Sequence, residues 1–233
     1  MVQSAEVIVV IGFEWWTGKF KTTVEQWESQ RRHMVKYQLR NRGIKDERVL
    51  AAMSKVPRHQ FVDLSWQDLA YSDRPLPIGY NQTISQPLIV AYMTQAAKIT
   101  SEDKVLEIGT GCGYQAAILG EIAQFVYSIE IIPQLAEKAC QTLSELGYKN
   151  IKVKTGDGYQ GWAENAPYDA IIVTAAPEQI PQPLIDQLAI NGKMVIPVGT
   201  WVQDIIILTK TELGIVEEKT LPVRFVPMRR KSG

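Results

Sequence analysis

The sequence predicts an α/β fold, a doubly wound and mostly parallel sheet of Rossmann-like type, with helices before it and a strand hairpin at its carboxyl end. Three observations carry this. A short apolar run, Lys104-Val105-Leu106-Glu107-Ile108, leads into Gly109-Thr110-Gly111-Cys112-Gly113, and a helical pattern starts at Tyr114 or Gln115. Strand, glycine-rich turn and helix in succession form the opening unit of a nucleotide-binding sheet. Further apolar, β-branched runs alternate with helical patterns over residues 125–198, the order that builds parallel strands with helical crossovers. Finally, Glu130 closes the second run about 20 residues after the first glycine, where a carboxylate can accept hydrogen bonds from two ribose hydroxyls.

Residues 1–22 carry no clear period, and the adjacent Trp15 and Trp16 would face different sides of a helix. Residues 23–42 read as a helix, with Val24, Trp27, Met34, Val35 and Leu39 near helical spacing and Gly43 ending it. A second helix has Asp46 as its cap, Val49, Leu50 and Met53 inward, and Pro57 as its stop. His59 follows and reads as a structural hydrogen bonder. The stretch 71–87 is rich in proline, glycine and small hydroxyl residues, so it reads as a long loop with defined turns. Pro87 then opens a helix to Ala97, with Ser85 or Gln86 as its cap.

After the glycine turn come strands over 125–129 and 151–154, separated by a helix over 133–146. A fourth strand covers 168–174, a helix 183–189 and a fifth strand 192–198. The runs 204–210 and 213–218 form the late hairpin. No internal repeat or low-complexity linker divides the chain. Residues 31–233 are read as one domain, and residues 1–30 as an extension whose role the sequence does not give.

At 45% apolar residues and 25 charges of each sign, the composition is that of a globular protein with no global pull toward nucleic acid or membrane. Two cysteines make no disulfide framework, and two histidines leave no metal-ligand spacing. No run is long enough to span a bilayer. The apolar run 7–11 has Glu6 before it and no preceding base, which makes a poor signal peptide. The expected location is cytoplasmic, and the expected state a monomer.

The spacing Gly-x-Gly-x-Gly places Tyr114 where a dinucleotide fingerprint has its third glycine or alanine. With an acid two residues before Gly109, the pattern resembles the first motif of class I S-adenosylmethionine-dependent methyltransferases. A closer resemblance lies upstream. Val56-Pro57-Arg58-His59-Gln60-Phe61-Val62, then Asp73-Arg74-Pro75-Leu76-Pro77-Ile78-Gly79, then Gln82-Thr83-Ile84-Ser85-Gln86-Pro87, resemble the pattern of protein-L-isoaspartate O-methyltransferases. The match runs from about His33 to Met228; the first 30 or so residues have no counterpart.

That resemblance implies methyl transfer from S-adenosyl-L-methionine, leaving S-adenosyl-L-homocysteine, to the α-carboxyl group of L-isoaspartyl residues in damaged proteins and peptides. It implies a cofactor site made by Thr83, Ile84, Glu107, Gly109, Gly111, Gly113, Glu130, Ile131, Asp157 and Gly158. Glu107 would hold the methionine ammonium group or cap the following turn. Asp157 would lie near the adenine or form the Gly-Asp-Gly turn. Ser85, with Val226 and Pro227, would meet the substrate. A carboxylate with a pKa of about 4 is ionised at neutral pH and needs no general base, so Ser85 would orient it by a hydrogen bond. No Gly-x-Ser-x-Gly elbow surrounds Ser85 to make it a nucleophile. A methyltransferase for a small molecule or for RNA, and a non-catalytic cofactor-binding protein, remain alternatives. The basic residues Arg31, Arg32, Lys36 and Arg40 are the feature that would favour RNA.

Overall fold

The computed structural model describes residues 24–230. The expectations for Trp15, Trp16 and the rest of residues 1–23 lie outside the described residues. A seven-stranded sheet organises the domain. In spatial order its strands are β5 (Ile151–Thr155), β4 (Phe125–Glu130), β3 (Lys104–Ile108), β6 (Tyr168–Val173), β7 (Leu188–Val198), β8 (Gln203–Thr211) and β9 (Gly214–Val223). The first five run parallel, and β8 and β9 are antiparallel. The chain winds outward from β3 to β5, then returns to lay β6 on the other side of β3. Ligands bind outside the carboxyl ends of strands at such a reversal.

Alternate side chains of each central strand serve opposite faces of the sheet. Val105, Ala170 and Ile172 join one core, with Leu50, Met53, Met93 and Ile118 from the helices. Leu106, Ile108, Ile171 and Val173 join a second core, with Tyr168, Leu184 and Met194. Both faces of the central strands are therefore dry, which is why these strands read as continuous apolar runs.

The first face is covered by α1 (24–33), α2 (Glu47–Lys55), α3 (Pro87–Ala97) and α4 (Tyr114–Gly120). The helix expected over 23–42 is present, but it widens into a π turn at Met34–Leu39 and closes with a tight turn, Arg40–Arg42. Met34 and Leu39, five residues apart, are both fully buried, and the wider turn brings them to one face. Gly43 ends the helix at φ +97°. Asp46 caps α2 by accepting from the Arg48 amide.

Three expectations need correction. The stretch 71–87 is not all loop: β1 (Leu76–Gly79) and β2 (Gln82–Ile84) pair antiparallel across Tyr80 and Asn81. Those two residues take φ of 53° and 58°, the left-handed pair a two-residue hairpin turn needs. Helix α6 (Gln182–Asp186) is shorter than predicted, because Leu188 already pairs with Tyr168 and starts an eleven-residue β7. Strand β9 continues to Val223, paired with Gln203, rather than ending at Glu218.

His59 is structural, as the sequence suggested. Its Nδ1 lies 2.8 Å from the Tyr71 hydroxyl, and its ring stacks on Trp27 at 4.0 Å between centroids. Residues 24–30 are thereby packed on the domain through Trp27. Removing a packed aromatic costs about 1–3 kcal/mol when it is only partly buried. Trp27→Ala should therefore lower the urea midpoint by that equivalent, and a chain starting at residue 31 should lose at least as much. Unchanged midpoints in both would detach α1 from the core.

Candidate active site

The glycine turn is sealed to the strands beside it. The Gly109 amide donates to Ile129 O at 2.8 Å, and the Thr174 amide donates to Ile108 O at 2.9 Å. Gly109, Gly111 and Gly113 all take positive φ, so the expected use of glycine holds at each. At Gly109 packing adds a second reason. A Cβ there would stand 2.4 Å from the Thr174 hydroxyl oxygen. That hydroxyl lies 2.7 Å from Gly109 O and 3.0 Å from Ile108 O, and its one proton is shared between these two carbonyls.

Glu130 stands at the end of β4, buried, with both oxygens in use. Oε2 accepts from the Gly111 amide at 2.8 Å, and Oε1 from the Ile132 amide at 3.0 Å. Each carboxylate oxygen has a second lone pair, so the group can still accept from two hydroxyls. Glu107 is fully buried rather than set in the mouth of the cleft. Ser128 donates to its Oε2, and the Thr110 hydroxyl, 2.5 Å from Ser128, continues the chain toward the glycine turn. Its Oε1 is buried without a partner. Burial pushes the Glu107 carboxyl up to about 8; the Ser128 hydrogen bond opposes this and nearby Glu130 adds to it.

Asp157 does form the turn: its Oδ1 accepts from the Tyr159 amide at 2.9 Å. Gly158 gives room to the core, since a Cβ would meet Ile108 Cγ2 at 2.4 Å and Met228 Cε at 3.1 Å.

Three neighbouring clefts open above β3 and β6. The first, of about 570 Å³ including its mouth, is lined by Thr83, Gly109, Gly111, Glu130, Ile131, Gly158, Thr174, Val226 and Pro227. The second is walled by Thr83, Ser85, Gln86, Thr174 and residues 222–226. A small third one joins Thr83, Ile84 and Ser85 to Gly109, Thr110 and Gly111. Thr83 and Thr174 line all three, so the expected cofactor and substrate sides meet there. Ser85 lines the second and third but not the first. Val226 and Pro227 reach the site because residues 225–228 run beside residue 176. The Ala176 amide donates to Val226 O, and the Met228 amide to Ala176 O.

Ser85 does not cap α3, and neither does the Gln86 side chain. The cap bond comes from Asp73, whose Oδ1 accepts from the Leu88 amide at 3.2 Å. Thr174 and Ala175 escaped the sequence reading. Their signal was available: they follow β6 immediately, at the carboxyl end of a strand beside β3.

Residues 29–233 match the family model of protein-L-isoaspartate (D-aspartate) O-methyltransferases. The chain belongs to this family. A protein-L-isoaspartate O-methyltransferase of Gloeobacter violaceus is 62% identical over 200 residues, 85% of this chain and 98% of that one. One from Picosynechococcus is 60% identical over 202 residues, 87% and 91% of the two chains. Among solved structures, a protein-L-isoaspartate O-methyltransferase superposes with a TM-score of 0.79 at 28% identity, covering 84% of this chain and 65% of that one. A Plasmodium falciparum structure assigned to the same methyltransferases, in complex with S-adenosyl-L-homocysteine, gives 0.75 at 24% identity, covering 88% and 99%. Both superpositions show that the fold of this chain is theirs.

In this methyltransferase Glu107 links the site to pH. A Glu whose folded pKa lies above its ordinary 4.5 gives stability that is fully present below 4.5 and lost as pH rises to about 8. His59, pushed down to about 4 by burial and by Arg31, has the opposite sign and acts only below its ordinary 6.5. Of these two groups, only Glu107 contributes between about pH 6.5 and about pH 8. Urea midpoints of the wild type should fall across that window, and Glu107→Gln should flatten the fall. Equal slopes in the two proteins would show that Glu107 is ionised throughout.

Proposed function

We propose that methyl transfer takes place where the clefts meet at Thr83 and Thr174, with Glu130 holding the cofactor and Ser85 orienting the substrate. As a protein-L-isoaspartate O-methyltransferase, the chain transfers a methyl group from S-adenosyl-L-methionine to L-isoaspartyl residues of damaged proteins, leaving S-adenosyl-L-homocysteine. The family's reaction is one of repair. The observation that carries the site is that the clefts meet at Thr83 and Thr174, with Glu130 and the glycine turn on one side and Ser85 on the other, at the reversal of the sheet.

The residues present fit that cofactor. Glu130 keeps two free lone pairs for ribose hydroxyls. Glu107 lies beneath the glycine turn, lines none of the three clefts and keeps one buried carboxyl oxygen without a partner, so its ammonium role rests on the family resemblance. Gly109 and Gly111 bring bare backbone to the cleft, while Gly113 lines none of the three clefts and packs against Leu143 and Ala139. Ile131 and Gly158 are in the cleft wall, and Asp157 holds the turn beside Gly158. When bound, the cofactor supplies a methyl group on a sulfonium centre whose leaving group departs neutral. The substrate carboxylate is already the nucleophile at neutral pH, since its pKa is about 4. What remains for the protein is alignment and the exclusion of water. Ser85 donates a hydrogen bond to the carboxylate, and Val226 and Pro227 border the substrate backbone.

The acting unit is a single domain over residues 31–233, carried back to residue 24 by α1 and preceded by the extension. Nucleic acid is no partner in this reading. The basic residues of the first helix are locally engaged: Arg40 pairs with Glu47 at 2.6 Å, Arg32 with Glu28 at 3.6 Å, and Arg31 donates to Lys55 O. The proposed state is a monomer, supported by Glu217, Glu218 and Lys219 on the edge strand β9, charges that discourage edge pairing. No helix among the described residues is long and apolar enough to cross a membrane. A cytoplasmic location is proposed, supported by the exposed free thiol of Cys140.

The test pairs isoaspartyl and aspartyl peptides of one sequence with labelled cofactor. Label should enter only the isoaspartyl peptide. Ser85→Ala should lower its turnover by about 10- to 100-fold through misalignment, and Ser85→Thr should restore part of it. Full activity of Ser85→Ala would remove Ser85 from the site, and a methylated Ser85 intermediate would contradict orientation.

A further inference from the structure

A fully buried arginine stands behind the site. Arg58 forms no ion pair with any described acid. Its Nε donates to Ala70 O at 2.7 Å and its Nη2 to Ser85 O at 2.8 Å. The guanidinium carbon lies 4.7 Å from the centroid of the Tyr114 ring, and Nη1 is buried without a partner. A charge buried without a counter-ion is costly, and two carbonyls with one ring face offset only part of that cost. A core that needed only filling would take an apolar residue here.

The three groups Arg58 touches are informative. Ser85 belongs to neither β2 nor α3, so no ladder or helix bond fixes its carbonyl. Tyr114 is the first residue of α4, directly after the glycine turn. Arg58 thus bridges the support of the substrate side and that of the cofactor side.

A second charged group, Asp73, acts on the residue after Ser85. Asp73 Oδ2 accepts from Gln86 Nε2 at 2.8 Å and from Arg42, while its Oδ1 takes the Leu88 amide. Pro87 has no N–H, so Leu88 carries the first free amide of α3. The chain on either side of Ser85 is therefore held by a buried cation on its carbonyl and by a carboxylate on Gln86 and Leu88.

We propose that Arg58 and Asp73 are positioning residues that clamp the backbone around Ser85 and so aim its hydroxyl at the substrate carboxylate. The inference rests on Ser85 orienting the substrate. Direction, rather than mere presence, is what the reaction needs, because a shift of about 1 Å can cost about 100-fold in rate.

The test uses the full chain with an isoaspartyl peptide. Lysine keeps the charge at position 58 but lacks the planar fork that reaches two carbonyls. Arg58→Lys should lower kcat by about 10- to 100-fold, while calorimetric affinity for S-adenosyl-L-homocysteine changes by less than about threefold. Asp73→Ala, at a half-buried site, should show the same split to a smaller extent. Combined with Ser85→Ala, neither change should cost further turnover, because the hydroxyl they aim is gone. An impaired Ser85→Ala with additive losses would overturn the clamp alone. Wild-type turnover in Ser85→Ala would instead overturn the reading of Ser85. Should Arg58→Lys fail to fold, Asp73→Ala decides: wild-type turnover there overturns the proposal, and a kcat loss absorbed by Ser85→Ala supports it.

Discussion

The carboxylate of Glu130 accepts from the backbone amides of Gly111 and Ile132, and the site depends on that pair of bonds. They tie the end of β4 to the turn after β3. Hydrogen bonds to a charged acceptor contribute about 1.5–3 kcal/mol each. The turn is otherwise a run of glycines, the residues with most conformational freedom to lose. With Glu130 in place, the loop after β3 and the start of α5 (Pro133–Glu145) share one acceptor.

Everything else at the site is arranged around this fixed edge. Thr174 secures the opposite side of the same turn through the carbonyls of Ile108 and Gly109. Glu107 and Ser128 lie underneath, in the dry layer between β3 and β4, where an acid is held close to neutral. The β1–β2 hairpin closes the cleft from outside and delivers Thr83 and Ser85 to it. In the proposed reading, strand ends carry the cofactor side, and the connection between β2 and α3 carries the substrate side.

Much of this was legible in the sequence, for physical reasons that differ by element. Strand β3 and its glycines were plain because a strand buried on both faces must be apolar, and because a turn at positive φ favours glycine. Glu130 was legible from its place at a strand's carboxyl end. The β1–β2 hairpin was not: prolines at 75 and 77 read as loop, and a Tyr-Asn turn lacks the glycine that marks such hairpins. The Asp73 cap of α3 was invisible because its partner, Leu88, lies 15 residues away. Arg58 was passed over for the same reason, since backbone carbonyls, its partners, leave no trace in residue types. The adenine role expected of Asp157 rests on resemblance, while its turn-forming bond is visible in the geometry.

The account's central claim is that the cofactor sits at the end of β4 on Glu130. Calorimetric titration of Glu130→Ala with S-adenosyl-L-homocysteine tests it most directly. Loss of the acceptor for two ribose hydroxyls should weaken binding by about 10- to 100-fold relative to wild type. An unchanged dissociation constant, in a variant whose urea midpoint shows it folded, would contradict the placement.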